Sequence, residues 1–217
     1  MTKSKKSPLA SSVAKVFKVQ LPENTLSSES KMVLESIANH IMEEIAKLTL
    51  SVCVPKKKAT IQARDIHFGA KSFFKGTEIG IDAMEEGKKA AGMNKDDGGK
   101  KKSRTSESRT KRVGLDISIP RVENALRLHF LGKRVSPDSA AYLAAVVDTV
   151  LSTLILHAGA AAKDVLKKTR ITNHHLQHAF TILEDIGFKK VFPKIIIPNG
   201  GKSFSEEKEI KELYKIK

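Results

Sequence analysis

The chain has 217 residues, 40% of them hydrophobic, with a formal charge of +15. That is room for one or two domains and enough apolar material to fill a core. With no Trp and only 5% aromatics the core should be helical and aliphatic, and the single cysteine, Cys53, excludes an intrachain disulfide.

The charge is not confined to a tail. Residues 1–112 carry 23 Lys and Arg against 13 Asp and Glu, and residues 113–217 carry 16 against 11. A polyanionic partner is the leading expectation. An anionic membrane surface is the competitor, but no basic amphipathic helix with Trp or Phe anchors stands out. The start, MTKSKKSPLASS, has charge but no apolar run, so no signal peptide is expected. One cysteine is consistent with a reducing compartment.

In chain order, residues 1–10 read as a disordered basic tail. SSVAKVFKVQ, residues 11–20, reads as a short amphipathic helix with Val13, Val16 and Phe17 together. LPENTLSS is a loop with Ser27 or Ser28 as helix cap. A long helix then runs to about Val52 on a stripe of Leu34, Ile37, Ile41, Ile45 and Leu48, and Pro55 ends it. PKKKATIQ is a basic loop, 63–74 a short helix, and 77–91 an added helix.

Residues 93–112, with eight basic and three acidic residues and two adjacent glycines, read as a basic flexible linker. Then the plan repeats. Residues 119–131 form a short helix, and GKRV a basic loop. Ser136, Pro137 and Asp138 open a long helix with the cap, first-turn residue and dipole complement expected there. Its stripe runs from Tyr142 through Leu143, Val146, Val147, Val150, Leu151, Leu154 and Ile155 to Ala158, with no breaker but Gly159 before Lys168. This helix could approach thirty residues. A membrane span is disfavoured by Asp148, where a central charge costs roughly 2.5–3.5 kcal/mol. A second basic loop, KKTRIT, precedes a helix over 173–183.

Short helix, loop, long helix, loop, short helix is the plan of a histone fold, and here it occurs twice. The residues PRVENALR, KRV, AAYLAAVVD, HAGAAAKD, KKTRIT and HHLQHA follow one another in a way that closely resembles core histone 2A over residues 113–201. VFKVQLPENTLSSES, KKKATIQARDI and EEGKKA resemble core histone 2B, more distantly. The fused order is similar to the histone doublets of giant DNA viruses.

The resemblance implies an all-α chain of two tandem histone folds, residues 11–92 and 113–192, pairing intramolecularly as a handshake. Residues 193–217 would be a docking segment and C-terminal tail. Within it PKIIIPNGG reads as a short strand whose Ile195, Ile196 and Ile197 dock on partner histones. The last residues, SEEKEIKELYKIK, read as a weak helix with Ile210, Leu213 and Tyr214 on one face, without an assigned role.

Antiparallel pairing of the long helices would set the first loop of each fold beside the second loop of the other. Lys56, Lys57, Lys58 and Thr60 would then meet Lys133 and Arg134, and Lys167, Lys168, Thr169 and Arg170 would meet LPENTLSS. With the paired N-termini of the first helices between them, that makes three phosphate-binding places on one convex edge. The resemblance implies that Arg121, Arg127, Arg134 and Arg170 lie along wrapped DNA, Arg134 and Arg170 in its minor groove. Arg64 and Asp65 match an Arg–Glu pair and read as structural.

Two departures stand out. The acidic patch of histone 2A is weakened: Asp148 keeps one position, Thr153 and Leu156 replace glutamates, and Glu78, Glu86, Glu184 and Asp185 remain. The N-terminal tail is also short.

The function implied is an architectural one: wrapping DNA in nucleosome-like particles, largely without sequence preference, with a histone 4/3-like doublet, two copies of each forming an octamer-like particle. The alternative is a histone-fold transcription-factor or adaptor subunit. The implied location is the host nucleus or the viral factory and virion if the chain is viral, and nuclear chromatin otherwise. No enzyme motif is present. His174 and His178 have ligand spacing but no following Glu and no third ligand, so no metal or other cofactor is expected.

Overall fold

The computed structural model describes residues 9–54, 58–93, 108–165, 168–193 and 197–200. The first part holds α1 (Ala10–Gln20), β1 (Thr25–Leu26), α2 (Ser28–Cys53), β2 (Thr60–Ile61), α3 (Ala63–Phe74) and α4 (Glu78–Ala90). The second holds α5 (Arg109–Val113), α6 (Ile119–His129), β3 (Arg134–Val135), α7 (Pro137–Ala160), β4 (Arg170–Ile171), α8 (Asn173–Ile182) and α9 (Phe188–Val191).

Both long helices start on a serine that does two jobs. Ser27 Oγ accepts from the Ser30 backbone N–H at 3.1 Å, and Ser136 Oγ accepts from that of Ser139 at 3.3 Å. Each cap satisfies an amide that the helix start leaves without an intrahelical partner. The second serine of each pair then reaches across the molecule. Ser30 Oγ donates to Asn173 Oδ1 at 2.9 Å, and Ser139 Oγ donates to Ile61 O at 2.9 Å.

The two short parallel strand pairs fix the topology. Thr25 and Leu26 face Arg170 and Ile171, while Thr60 and Ile61 face Arg134 and Val135. So the start of α2 lies at the end of α7 and the end of α2 at the start of α7. The two long helices therefore run in opposite directions.

The core forms around α7. Every residue from Ser139 to Val147 is buried, as are Val150, Leu151, Leu154, Ile155, Ala158 and Gly159. Helices α1, α2, α3, α4, α6 and α8 all pack on it. The stretch Pro137–Lys163 is long and apolar enough to cross a membrane, yet that face is spent on internal packing. Two glycines permit close helix approach. A Cβ at Gly87 of α4 would stand 2.8 Å from the Tyr142 ring, and one at Gly69 of α3 would stand 2.7 Å from Ile45 O. An aromatic cluster of Phe73, Phe180, Phe188 and Phe192 ties the end of α3 to α8 and α9, with ring centroids 5.2–6.2 Å apart.

Several expectations need correction. The α-helix expected to run toward Lys168 ends at Ala160, and Ala161–Val165 form a π-helical turn. The stretch expected to be linker as far as 112 ends instead in α5, capped by Ser108. The helix expected to reach 131 stops at His129, where Phe130 folds inward and is buried. Among the described residues of the C-terminal part none is strand. Ile195 and Ile196 lie outside them, and Ile197 is buried against this chain's own core.

Candidate nucleic-acid interface

The two strand pairs bring basic loops together at opposite ends of α7. At the β2–β3 end, Arg134 stands opposite Thr60 and is exposed. Lys133 Nζ donates to Lys58 O at 2.6 Å. Lys58 itself is held: its Nζ lies 2.5 Å from Asp65 Oδ1, and that hydrogen bond keeps its pKa above the ordinary lysine value. Asp65 is buried and also accepts from the Gln62 N–H at 3.0 Å, closing a capping box on α3. Its structural role matches the sequence expectation, while Arg64 beside it is exposed. Lys56 and Lys57 lie outside the described residues.

At the β1–β4 end, Lys168, Thr169 and Arg170 are all exposed. Thr169 O accepts from the Thr25 backbone N–H and from Asn24 Nδ2, each at 3.0 Å. Lys18 Nζ donates to Asn24 O at 3.3 Å, adding a cation that the sequence reading did not select. Lys167 lies outside the described residues. Among those residues Arg134, Lys168 and Arg170 have no carboxylate within ion-pair distance, so their charge is available to a polyanion.

Between the ends, the starts of α1 and α6 meet. The Ser118 N–H donates to Ser12 Oγ at 3.3 Å, and Arg121 donates to Ser11 Oγ. The Ile119 N–H donates to Thr110 Oγ1 of α5 at 3.2 Å. The leading amides of α6, expected to face phosphate, are thus partly used by hydroxyls of this chain. Arg127 is also engaged. Its guanidinium lies 2.6 Å from Glu123 Oε1, while Arg109 of α5 lies 2.6 Å from Oε2 of the same carboxylate. Glu123 is buried and binds two arginines, which anchors α5 on α6. The signal for α5 was in the sequence: Ser108 is a cap, and its side chain accepts from the Lys111 N–H at 3.4 Å.

Asp148 turns toward the segment before α6. Its Oδ2 accepts from the Asp116 N–H at 3.3 Å, and Oδ1 is buried with no hydrogen bond among the described residues. Burial pushes the Asp148 carboxyl up to about 6, with the Asp116 carboxylate adding to the rise and Lys15 opposing it. Glu78 and Asp185 are exposed; Glu86 lies 2.6 Å from Lys89 and Glu184 lies 3.1 Å from Lys189, so two of the remaining acids are partly neutralised.

The histidines of α8 serve the fold. His175 Nδ1 accepts from the Thr172 N–H at 2.9 Å, which requires an unprotonated nitrogen there. Burial holds the pKa of His175, and that of His178, below the ordinary histidine value. His174 Nδ1 meets Gly200 O at 2.9 Å. Among the described residues no group of three His, Cys, Asp or Glu could hold a metal ion.

The described residues thus form a mostly helical body with basic loops paired at both ends of an antiparallel helix pair. Over 96 residues, 44% of its length, the chain is similar to Histone macroH2A1.1 of Capsaspora owczarzaki, at 38% identity. That match covers 25% of the relative, so the chain spans about a quarter of its length. No family model matches.

Proposed function

We propose that this chain is a core-histone doublet, a histone 2B-like fold over 11–92 fused to a histone 2A-like fold over 113–192. The two folds pair with each other as a handshake. The unit wraps and compacts DNA together with a histone 4/3-like doublet, two copies of each forming an octamer-like particle. Its role is architectural rather than enzymatic, in nuclear chromatin, or in the viral factory and virion if the chain is viral.

The observation that carries this reading is the placement of Arg134 opposite Thr60 and of Arg170 opposite Thr25, at the two ends of one continuous helical run. From Pro137 to Val165 that run spans about 40 Å, at ~1.5 Å per residue. Two turns of straight duplex span roughly 70 Å, at about 34–36 Å per turn. If a duplex meets both ends and the α1–α6 junction at successive turns, its two-turn contour exceeds that span and it must curve around this edge. Contacts from arginines, hydroxyls and amides to phosphates supply affinity without reading sequence. DNA-binding roles are accordingly assigned to Thr60, Arg121, Lys133, Arg134, Lys168, Thr169 and Arg170, with Lys56, Lys57 and Lys167 in the same loops, while Lys58 is held by Asp65. Arg127 contributes less, because Glu123 already holds it.

The linked folds gain from their tether. A short covalent connection raises the effective concentration of one fold at the other to the millimolar order and fixes one-to-one pairing. Docking on the companion doublet would use the backbone around Ile195 and Ile196. The Ile197 side chain is already buried within this chain.

Reconstitution on random-sequence DNA with and without a companion doublet, followed by nuclease digestion, tests this. The expected result is a discrete fragment approaching the roughly 146 bp that a histone octamer wraps, seen only with both chains. A sequence-specific footprint by this chain alone would overturn the reading in favour of a transcription-factor or adaptor subunit.

A further inference from the structure

Glu123 is the acid of α6, and it is buried, at 7% exposed. Both of its oxygens are engaged. Oε1 lies 2.6 Å from Arg127 Nη2, one helical turn on, and Oε2 lies 2.6 Å from Arg109 Nη2 of α5. The two arginine side chains stay open to solvent, Arg127 at 60% and Arg109 at 39%. Two guanidiniums that face solvent are thus tied to a carboxylate that does not.

The tie is built from two directions. The bond to Arg127 needs only α6. The bond to Arg109 needs α5 to be seated, and α5 is seated by more than this pair. Ser108 caps it, and Thr110 Oγ1 accepts from the Ile119 N–H at 3.2 Å, at the start of α6. The position matters because α6 joins two of the places assigned to phosphate. Its start holds Arg121 at the α1–α6 junction, and its end leads through Gly132 into Lys133 and Arg134.

An arginine here can serve Glu123 or a phosphate, and the two choices are unequal. A phosphate contact at an exposed place is weakened by water and salt. A buried carboxylate that loses a cation has little water to replace it, so breaking that pair is the more expensive step. Charge-assisted bonds at this distance are also the strong kind. Resting on the DNA-binding reading above, we propose that Glu123 is an internal counter-ion that withholds Arg109 and Arg127 from DNA phosphates and so limits the grip of this edge. Its effect is on strength and salt dependence, not on sequence preference, because the contacts it removes are contacts to phosphate.

The test is binding of the full chain to random-sequence duplex, measured against salt. Glu123→Gln keeps the shape of the side chain but removes its charge and one of its two acceptors. It should steepen the log–log slope by about 1–2, roughly one for each arginine released. Arg127→Ala should leave the slope nearly unchanged in the wild-type background and lower it by about 1 in the Glu123→Gln background. Asp82→Asn, at an exposed acid of α4, makes the same change in net charge and should leave the slope nearly where it was. A slope that falls by about 1 on Arg127→Ala alone would overturn the proposal, since that arginine would already be on the duplex. So would a Glu123→Gln slope no steeper than that of Asp82→Asn. Circular dichroism checks that Glu123→Gln folds; if it does not, Arg127→Ala in the wild-type background still decides. A wild-type chain that binds no DNA would overturn the DNA-binding reading along with this one, and that outcome is read before any variant is made.

Discussion

The two long helices occupy corresponding places in the two halves, yet they are buried very differently. Helix α7 is enclosed on nearly every side, while α2 keeps an open strip on which Met32 is 62% exposed. The cause lies in the helix that comes after each fold. After α3 comes α4, a 13-residue helix that lies on α7, with Ile79, Gly80, Ala83, Met84 and Gly87 turned inward. After α8 comes only α9, four residues long, and no described element crosses α2 in the way that α4 crosses α7. The repeat is thus one of plan and not of burial. The first part lends a cover to the second and receives little in return.

The largest effect should come from cutting into the covered helix. Leu151 is fully buried. Leu151→Ala should cost about 2–5 kcal/mol in urea unfolding, from lost transfer energy plus the cavity left behind. Met32→Ala should stay within about 0.5 kcal/mol, since that side chain is mostly in solvent. Similar costs at the two positions would erase the comparison.

Next come the glycines where each long helix receives its neighbour. A Cβ at Gly69 meets Thr49 Oγ1 at 2.3 Å and Ile45 O at 2.7 Å, whereas at Gly87 it meets only Tyr142 ring atoms at 2.8–3.0 Å. Alanine at either site relieves a backbone-entropy cost of roughly 0.5–1 kcal/mol but overpacks the crossing by about 1–3 kcal/mol. Gly69→Ala should be the worse of the two, because helix backbone yields less readily than a ring. Thermal unfolding of the pair checks the order.

A third effect separates the halves by pH. The folded Asp148 carboxyl, at about 6, sits above its ordinary 3.8. Its contribution to stability is therefore complete below about pH 4 and is lost as pH rises through 6. Asp116 and Lys15 are the charged groups beside it, joined at 2.9 Å. Asp148→Asn should stabilise the chain by about 1–2 kcal/mol at pH 7.5 and by almost nothing at pH 4. His67, His175 and His178, all held below the ordinary histidine pKa, pull the other way on acidification. They are present in both proteins, so the difference between the two urea midpoints isolates Asp148.

Much of this plan was legible because it is written in local signals. Caps such as Ser27 and Ser136, and stripes at helical spacing, need only neighbouring residues to act. What stayed hidden needed the other half of the molecule. The sequence places Asp148 on α7 but does not reveal that the segment before α6 folds over it. Ser30 and Ser139 look like ordinary first-turn serines, and their bonds to Asn173 and Ile61 exist only once the halves pair. Helix α5 was absorbed into a basic run, since its anchor, Glu123, lies 14 residues from Arg109. The basic loops were found by composition, but which of their cations are engaged by carboxylates was not.

That last distinction sets the smallest and most functional prediction. Each end of α7 offers an exposed arginine, but the ends are stocked differently. At the β2–β3 end Lys58 is bound to Asp65 and Lys133 to a carbonyl, leaving Arg134 as the cation engaged by neither kind of acceptor among the described residues. At the β1–β4 end Lys168 and Arg170 are both free of ion pairs among those residues. In DNA binding measured against salt, Arg134→Ala and Arg170→Ala should each lower the log–log slope by about 1, the signature of one lost phosphate contact. Lys168→Ala should do the same. Lys58→Ala should leave the slope nearly unchanged and instead destabilise the start of α3, because its charge is already spent on Asp65. A slope that falls equally for Lys58 and Lys168 would mean that DNA strips Lys58 from its carboxylate, and that the two ends meet the duplex alike.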